Sequence, residues 1–182
     1  MNHIGTQQLI TKRLNLRRLK LEDFHSMFNN WASDEKVAKY TSWYAHQSEK
    51  ITQEYLKAIV DSYDQLNYYC WGIEYQKNLV GMISVIPVDE KAEVSGVGYV
   101  LSKDYWSLGL MTEAAEVVIT FLCKEVGYRR IIAWCDVANA ASGIVLRKIG
   151  MQLEGKLRQH VARKDGNYGD EHVYGILKDE IG

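Results

Sequence analysis

A strand-like run ends at Leu101, Gly109 follows within a short turn, and a helix-forming stretch opens at once at Thr112. The first backbone N–H groups of such a helix have no partner inside it, and the helix dipole adds partial positive charge there. That end suits a phosphate or pyrophosphate, and Gly109 lets a ligand approach the backbone with no Cβ between. The same glycine also reads as ordinary turn geometry. The loop holds neither GxGxxG nor GxxxxGKS/T, so it supports neither a dinucleotide fingerprint nor a P-loop. Asn139 and Ser142 open a later, shorter helix, His160 lies on a late strand and Glu93 precedes an earlier one. Hydroxyl, imidazole and carboxylate are the groups that pass protons in acid–base chemistry. Each also has a plain structural reading: helix-start hydrogen bonding for Ser142, capping for Asn139, a half-exposed strand position for His160.

The elements that must position these residues follow from periodicity. Leu9 to Arg17 alternates partially, as a strand does. Phe24, Met27, Phe28 and Trp31 share one helical face and predict an amphipathic helix over 21–32. Ile51, Tyr55 and Ile59 predict a second helix, with Ser48 as its cap. Strands are expected at 68–75 and 79–88, joined as a hairpin by Gln76-Lys77-Asn78, and at 94–101. After Thr112 the apolar face Ala114, Ala115, Val118, Phe121 and Leu122 predicts a helix that Gly127 stops. A strand at 130–135, a helix at 139–149 and a final hairpin around Lys164-Asp165-Gly166-Asn167 complete the order. That order predicts a mixed α/β sheet whose strands at 94–101 and 130–135 pair in parallel.

Gly98-Tyr99-Val100-Leu101 followed by Tyr105-Trp106-Ser107-Leu108-Gly109-Leu110-Met111-Thr112-Glu113-Ala114 resembles the acetyl-CoA segment of the GNAT N-acetyltransferase superfamily. More narrowly it is similar to the RimJ/RimL branch, where a GYxL strand precedes YWGxGxxTEA. Asn139-Ala140-Ala141-Ser142 with Leu146-Arg147-Lys148-Ile149-Gly150-Met151 is similar to that branch's NxxSxxVLxKxGF element. Leu14 to Leu19 with Leu21-Glu22-Asp23, and the ending from Leu153-Glu154-Gly155, extend the likeness over about residues 9 to 178. The resemblance implies the acyl-CoA N-acyltransferase fold: a mostly antiparallel twisted sheet with a splayed parallel strand pair and flanking helices, in a single domain over 1–182.

It also implies acetyl-CoA as co-substrate, no metal, and direct attack by an amine in a ternary complex. Backbone groups near Val100 and Leu101, with Asn139, would hold the pantetheine arm. The amides of Ser107, Leu108, Gly109, Leu110, Met111 and Thr112 would hold the pyrophosphate. Ser142 would protonate the leaving thiolate, and the tyrosine used four residues later by many relatives is Leu146 here. Arg147 and Lys148 read either as groups near a CoA phosphate or as a solvated helix end.

Ser107 stands where the branch has glycine, and Met111, where glycine or alanine is usual, is expected to crowd the pyrophosphate. The glutamate that serves many relatives as base aligns with Gly96, and another used in the branch aligns with Val161. Glu93 and His160 therefore remain the candidate bases. Tyr40, Trp43, Tyr44, Tyr68, Tyr69 and Trp71 are expected on the acceptor side or in the core. The acceptor would be a protein or peptide α-amino group or a small amine, and a homodimer is compatible with the resemblance. Two other readings stay open: an acyl-CoA-binding sensor without turnover, which Gly96 and Val161 motivate, and a nucleotide-binding domain of another kind.

Bulk properties agree with one ordinary domain. The 182 residues are 47% hydrophobic and 25% charged, with a net charge of −1 and no block of like charge, which argues against nucleic acid as a partner. Cys70, Cys123 and Cys135 lack metal-ligand spacing and read as reduced, packed thiols. No signal-peptide or membrane-spanning pattern occurs, so the cytoplasm is the expected location.

Overall fold

A computed structural model describes residues 1–182. An eight-stranded sheet runs in the order β1-β2-β3-β4-β5-β6-β8-β7. Its strands are β1 (Leu9–Ile10), β2 (Leu14–Arg17), β3 (Cys70–Tyr75), β4 (Asn78–Asp89), β5 (Val94–Leu101), β6 (Arg130–Asp136), β7 (Gln152–Ala162) and β8 (Tyr168–Leu177). Every pairing is antiparallel except β5 with β6. The helices are α1 (Phe24–Met27), α2 (Glu35–Ala38), α3 (Glu49–Ser62), α4 (Leu110–Phe121) and α5 (Ala140–Lys148).

The sheet buries both faces. On one, Ala114, Ala115 and Val118 of α4, with Leu122 just after it, pack against Trp71, Ile73, Ile83 and Ile131. On the other, Met27, Trp31, Leu56 and Ile59 from the α1–α3 region cover Cys70, Leu79 and Met82. Adjacent residues such as Cys70 and Trp71 fall in different clusters, as the period-2 alternation of a strand requires. Each of the Val, Leu, Ile and Met side chains among them contributes roughly 1.5–3 kcal/mol by leaving water. Tyr69 and Trp71 are 1% and 0% exposed, which removes them from the acceptor side and makes them core.

Three local expectations change. The single strand over 9–17 is a hairpin, with Leu9 opposite Leu16 and the Thr11 amide bonded to the Leu14 carbonyl at 3.0 Å. The helix expected over 21–32 is a 3₁₀ turn at Leu21–Asp23, then α1, then a π turn at Phe28–Ala32. Side chains there compete for backbone groups: Asn30 donates to the Leu79 carbonyl at 2.6 Å and Ser33 to that of Phe28 at 2.8 Å. Ser48 precedes α3 in extended conformation but makes no side-chain cap bond. The short α2 has no counterpart in the periodicity; Asp34 caps it by accepting the Lys36 amide at 2.8 Å.

Candidate active site

The parallel pair decides the site. β5 and β6 are bonded only where Val94, Ser95 and Gly96 meet Arg130, Ile131 and Ile132. Beyond Gly96 the strands part, while β5 stays bonded to β4 through Leu101. One edge of β5 is thereby freed, and its backbone groups require partners. A cleft of about 1130 Å³ opens there, walled by β5 from Val97 to Leu101, by β6 from Ala133 to Asp136, and by the starts of α4 and α5.

At the α4 end, Gly109 occupies the cap position with φ 74° and no side chain caps the helix. Its missing Cβ would meet nothing nearer than Arg13 at 3.6 Å, so the approach to the amides is open. Glu113 donates its N–H to the Gly109 carbonyl at 3.2 Å, and the amides before it are the ones a helix start leaves over. Ser107 has φ 63°, a left-handed backbone that costs an L-residue roughly 1–2 kcal/mol and that glycine would adopt without strain. Ser107 and Gly109 both have left-handed φ, so the chain turns sharply just before α4. Ser107, Gly109, Leu110, Met111 and Thr112 all line the cleft. Leu108 does not; it is 49% exposed and its carbonyl accepts from Arg13 at 2.9 Å. Met111 is 5% exposed and belongs to the core cluster, although it also lines the cleft.

The loop is held by a residue pair that periodicity does not reveal. Glu113, in the first turn of α4, accepts from Thr11 at 2.6 Å and from the Arg13 side chain at 2.6 Å and amide at 2.9 Å. Burial raises its carboxyl pKa, but these bonds outweigh burial and hold it below the ordinary value.

Midway along the cleft, Val100 lines the wall, but it pairs with Met82 and its carbonyl faces β4 beside Gly81, so its backbone is not on the freed edge; the Leu101 carbonyl already accepts the Trp106 indole N–H at 2.8 Å. Asn139 accepts the Ser142 amide at 3.3 Å and lines the cleft, so its amide nitrogen remains for a ligand. The Ser142 hydroxyl meets the Tyr99 phenol at 2.9 Å. Burial pushes that phenol's pKa well up, which keeps it a neutral donor. Tyr99 was not singled out as a functional residue; alternation along β5 puts it beside α5 only once the fold is known. Lys148 also lines the cleft, while Arg147 donates to the Tyr174 hydroxyl at 3.0 Å.

At the opposite end the wall includes Tyr40, Trp43, Tyr55, His160 and Glu171. His160 Nδ1 lies 2.7 Å from Glu171 Oε2. Tyr44 is 69% exposed and Tyr68 packs with the α1–α3 cluster. Glu93 is not brought to the cleft. It sits in the turn before β5 with φ 56°, and its carbonyl accepts the Arg129 and Arg130 amides at 3.0 and 3.3 Å. Gly96 has a steric reason: a Cβ there would stand 2.8 Å from the Trp134 ring, so an indole fills the space that a glutamate would need. No cluster of three or more His, Cys, Asp or Glu side chains with metal-binding geometry is present.

Residues 13–152 match the family described as Acetyltransferase (GNAT) domain. The chain belongs to the GNAT acetyltransferase family. It is 30% identical to an uncharacterized N-acetyltransferase of Bacillus subtilis, YoaA, over 93% of this chain and 96% of that one. It is 26% identical to the ribosomal-protein-serine acetyltransferase of Escherichia coli, over 73% and 74% of the two chains. Among solved structures, a GNAT acetyltransferase from Bacillus anthracis superposes with TM-score 0.83 at 24% identity, covering 95% of this chain and 99% of that one. RimL, the ribosomal L7/L12 α-N-protein acetyltransferase solved with coenzyme A, superposes with TM-score 0.86 at 20% identity, covering 96% and 99%. The GNAT fold is thus shared over nearly the whole chain, and the protein is an N-acetyltransferase. No helix is long and apolar enough to cross a membrane.

Proposed function

We propose that the protein transfers acetyl from acetyl-CoA to a primary amine in a ternary complex, and that a protein or peptide α-amino group is the first acceptor class to test. The observation that carries this is the coincidence, in one cleft, of a freed β5 edge and the uncapped start of α4. The cleft fits the group: its volume, its Cβ-free approach at Gly109 and its cationic Lys148 all suit a long, doubly charged diphosphate ligand. Amides of Ser107 and of Gly109 to Thr112 hold the pyrophosphate, and backbone groups on the freed edge of β5, with Asn139, hold the pantetheine arm.

Bound acetyl-CoA supplies an activated acyl carbon. The chain's own groups do the rest. Orientation of the two reactants supplies much of the rate, since effective molarities reach roughly 10⁵ M or more. His160 takes the proton that the attacking nitrogen must lose. Ser142, itself bonded to Tyr99, gives a proton to the departing sulfur. Tyr40, Trp43 and Tyr55 shape the acceptor end, where aromatic faces attract an ammonium. The protein-N-terminus assignment follows the names of the RimL and ribosomal-protein-serine relatives.

Free thiol release from acetyl-CoA, followed across peptides with different N-terminal residues and a panel of small amines, tests the reading. Amine-dependent release is expected. Tight acetyl-CoA binding with no release across the whole panel favours the sensor alternative, and competition by ATP rather than CoA favours a nucleotide site.

A further inference from the structure

Glu171 has no part in the chemistry assigned so far, yet it lines the cleft and its side chain is only 16% exposed. It lies on β8 opposite Asp136 of β6 and Leu157 of β7. The neighbouring carboxylates are otherwise engaged. Asp136 gives both oxygens to Arg163, at 2.7 and 2.8 Å. Asp170 accepts the Gln159 amide at 2.9 Å and pairs with Lys156 at 2.9 Å. Glu171 instead reaches His160 Nδ1.

The backbone is bent to make this contact. Between the pairs Leu157–Glu171 and Val161–Gly169, the residues Arg158, Gln159 and His160 stand opposite Asp170 alone. Gln159 takes φ 52° inside this bulge. Bulges re-aim side chains, and here His160 is carried to the cleft beside Glu171 rather than facing Asp170 across the ladder.

We infer that Glu171 is a positioning residue for acetyl transfer, acting through His160. A carboxylate only accepts hydrogen bonds, so the imidazole proton stays on Nδ1 and the Nε2 lone pair is left for the acceptor's proton. The amine proton passes to Nε2, the Nδ1 proton stays where it is, and Glu171 is not itself protonated. The inference rests on the reading of His160 as base.

Nitrogen-15 spectra of histidine-labelled protein at mildly alkaline pH test it, with His160→Ala used to assign the signals. The wild-type protein is expected to carry the His160 proton on Nδ1, and a proton on Nε2 overturns the inference without need of any variant at Glu171. Glu171→Gln is expected to shift the proton toward Nε2 and to lower kcat about tenfold or more, with KM for acetyl-CoA within about twofold. Unchanged tautomer and kcat in that variant sink the positioning role alone, provided His160→Ala is slow. A wild-type rate in His160→Ala sinks the base assignment and Glu171's role in turnover together. Loss of activity in Glu171→Gln beside a wild-type rate in His160→Ala makes Glu171 the base and overturns the inference.

Discussion

Ser142 in the first turn of a helix is ambiguous as a residue, because serine there commonly serves the backbone. The Tyr99 phenol 2.9 Å from its hydroxyl changes the reading, since a buried, neutral phenol can hand on a proton. Ser142→Ala is expected to lower kcat about tenfold to a hundredfold at unchanged KM for acetyl-CoA, measured by thiol release. Tyr99→Phe should fall in the same direction, and the double variant should lose little more than Ser142→Ala, because the two hydroxyls form one unit. Additive losses would show that they act separately. The resemblance leaves His160 as a candidate proton acceptor beside Val161, whereas nothing in the chain marks its partner Glu171. Counting back from the hairpin turn in regular register pairs Glu171 with Gln159, and only the bulge replaces that partner.

The loop before α4 was legible as an element because its two signals, a glycine and the end of an apolar strand, are local. Gly109→Asp brings a carboxylate to the amides proposed to hold a diphosphate. Two like charges about 4 Å apart near a protein surface repel by roughly 4 kcal/mol, so CoA affinity should fall by about a hundredfold or more by calorimetry. Unchanged affinity would remove Gly109 from the site. The β5–β6 pair gives a second test. Restoring a glutamate by Gly96→Glu should not improve turnover, because Trp134 occupies the space. It should instead destabilise the fold by about 2 kcal/mol, read from urea unfolding. The helix over 21–32 was misjudged for the opposite reason: its apolar spacing is helical, but Asn30 and Ser33 answer to partners on β4 and on the helix's own carbonyls.

Across the molecule, long-range ties hold the cleft's walls in place. Lys103, beyond β5, pairs with Asp34 at the cap of α2 at 2.5 Å. Lys164, in the β7–β8 turn, donates to the Ala38 carbonyl and lies over the Trp43 and Tyr44 rings. The Arg13–Glu113 pair fastens the β1–β2 turn to the start of α4. Because the folded Glu113 pKa lies below its ordinary 4.5, its stabilisation is full above that pH and is lost as pH falls through the lower folded value. Glu113→Gln should therefore cost about 1.5 kcal/mol at pH 7 and progressively less as pH falls below the ordinary carboxylate value, measured by denaturant unfolding at pH 7 and in acid. An equal cost at the two pH values would show that the carboxylate charge contributes nothing.

The sequence by itself determined the order of the main strands and helices, the helix start at Gly109 and the mixed sheet, because these follow from side-chain period and local turn residues, and it pointed to the family through motif resemblance. The tertiary structure decided where β5 and β6 part, that Glu93 lies away from the cleft, that Trp134 excludes a side chain at Gly96, and that Tyr99 and Glu171 stand beside Ser142 and His160. Those facts rest on strand register, a bulge and ring packing between segments 30 or more residues apart or across a distorted ladder. No local pattern in the chain carries such information.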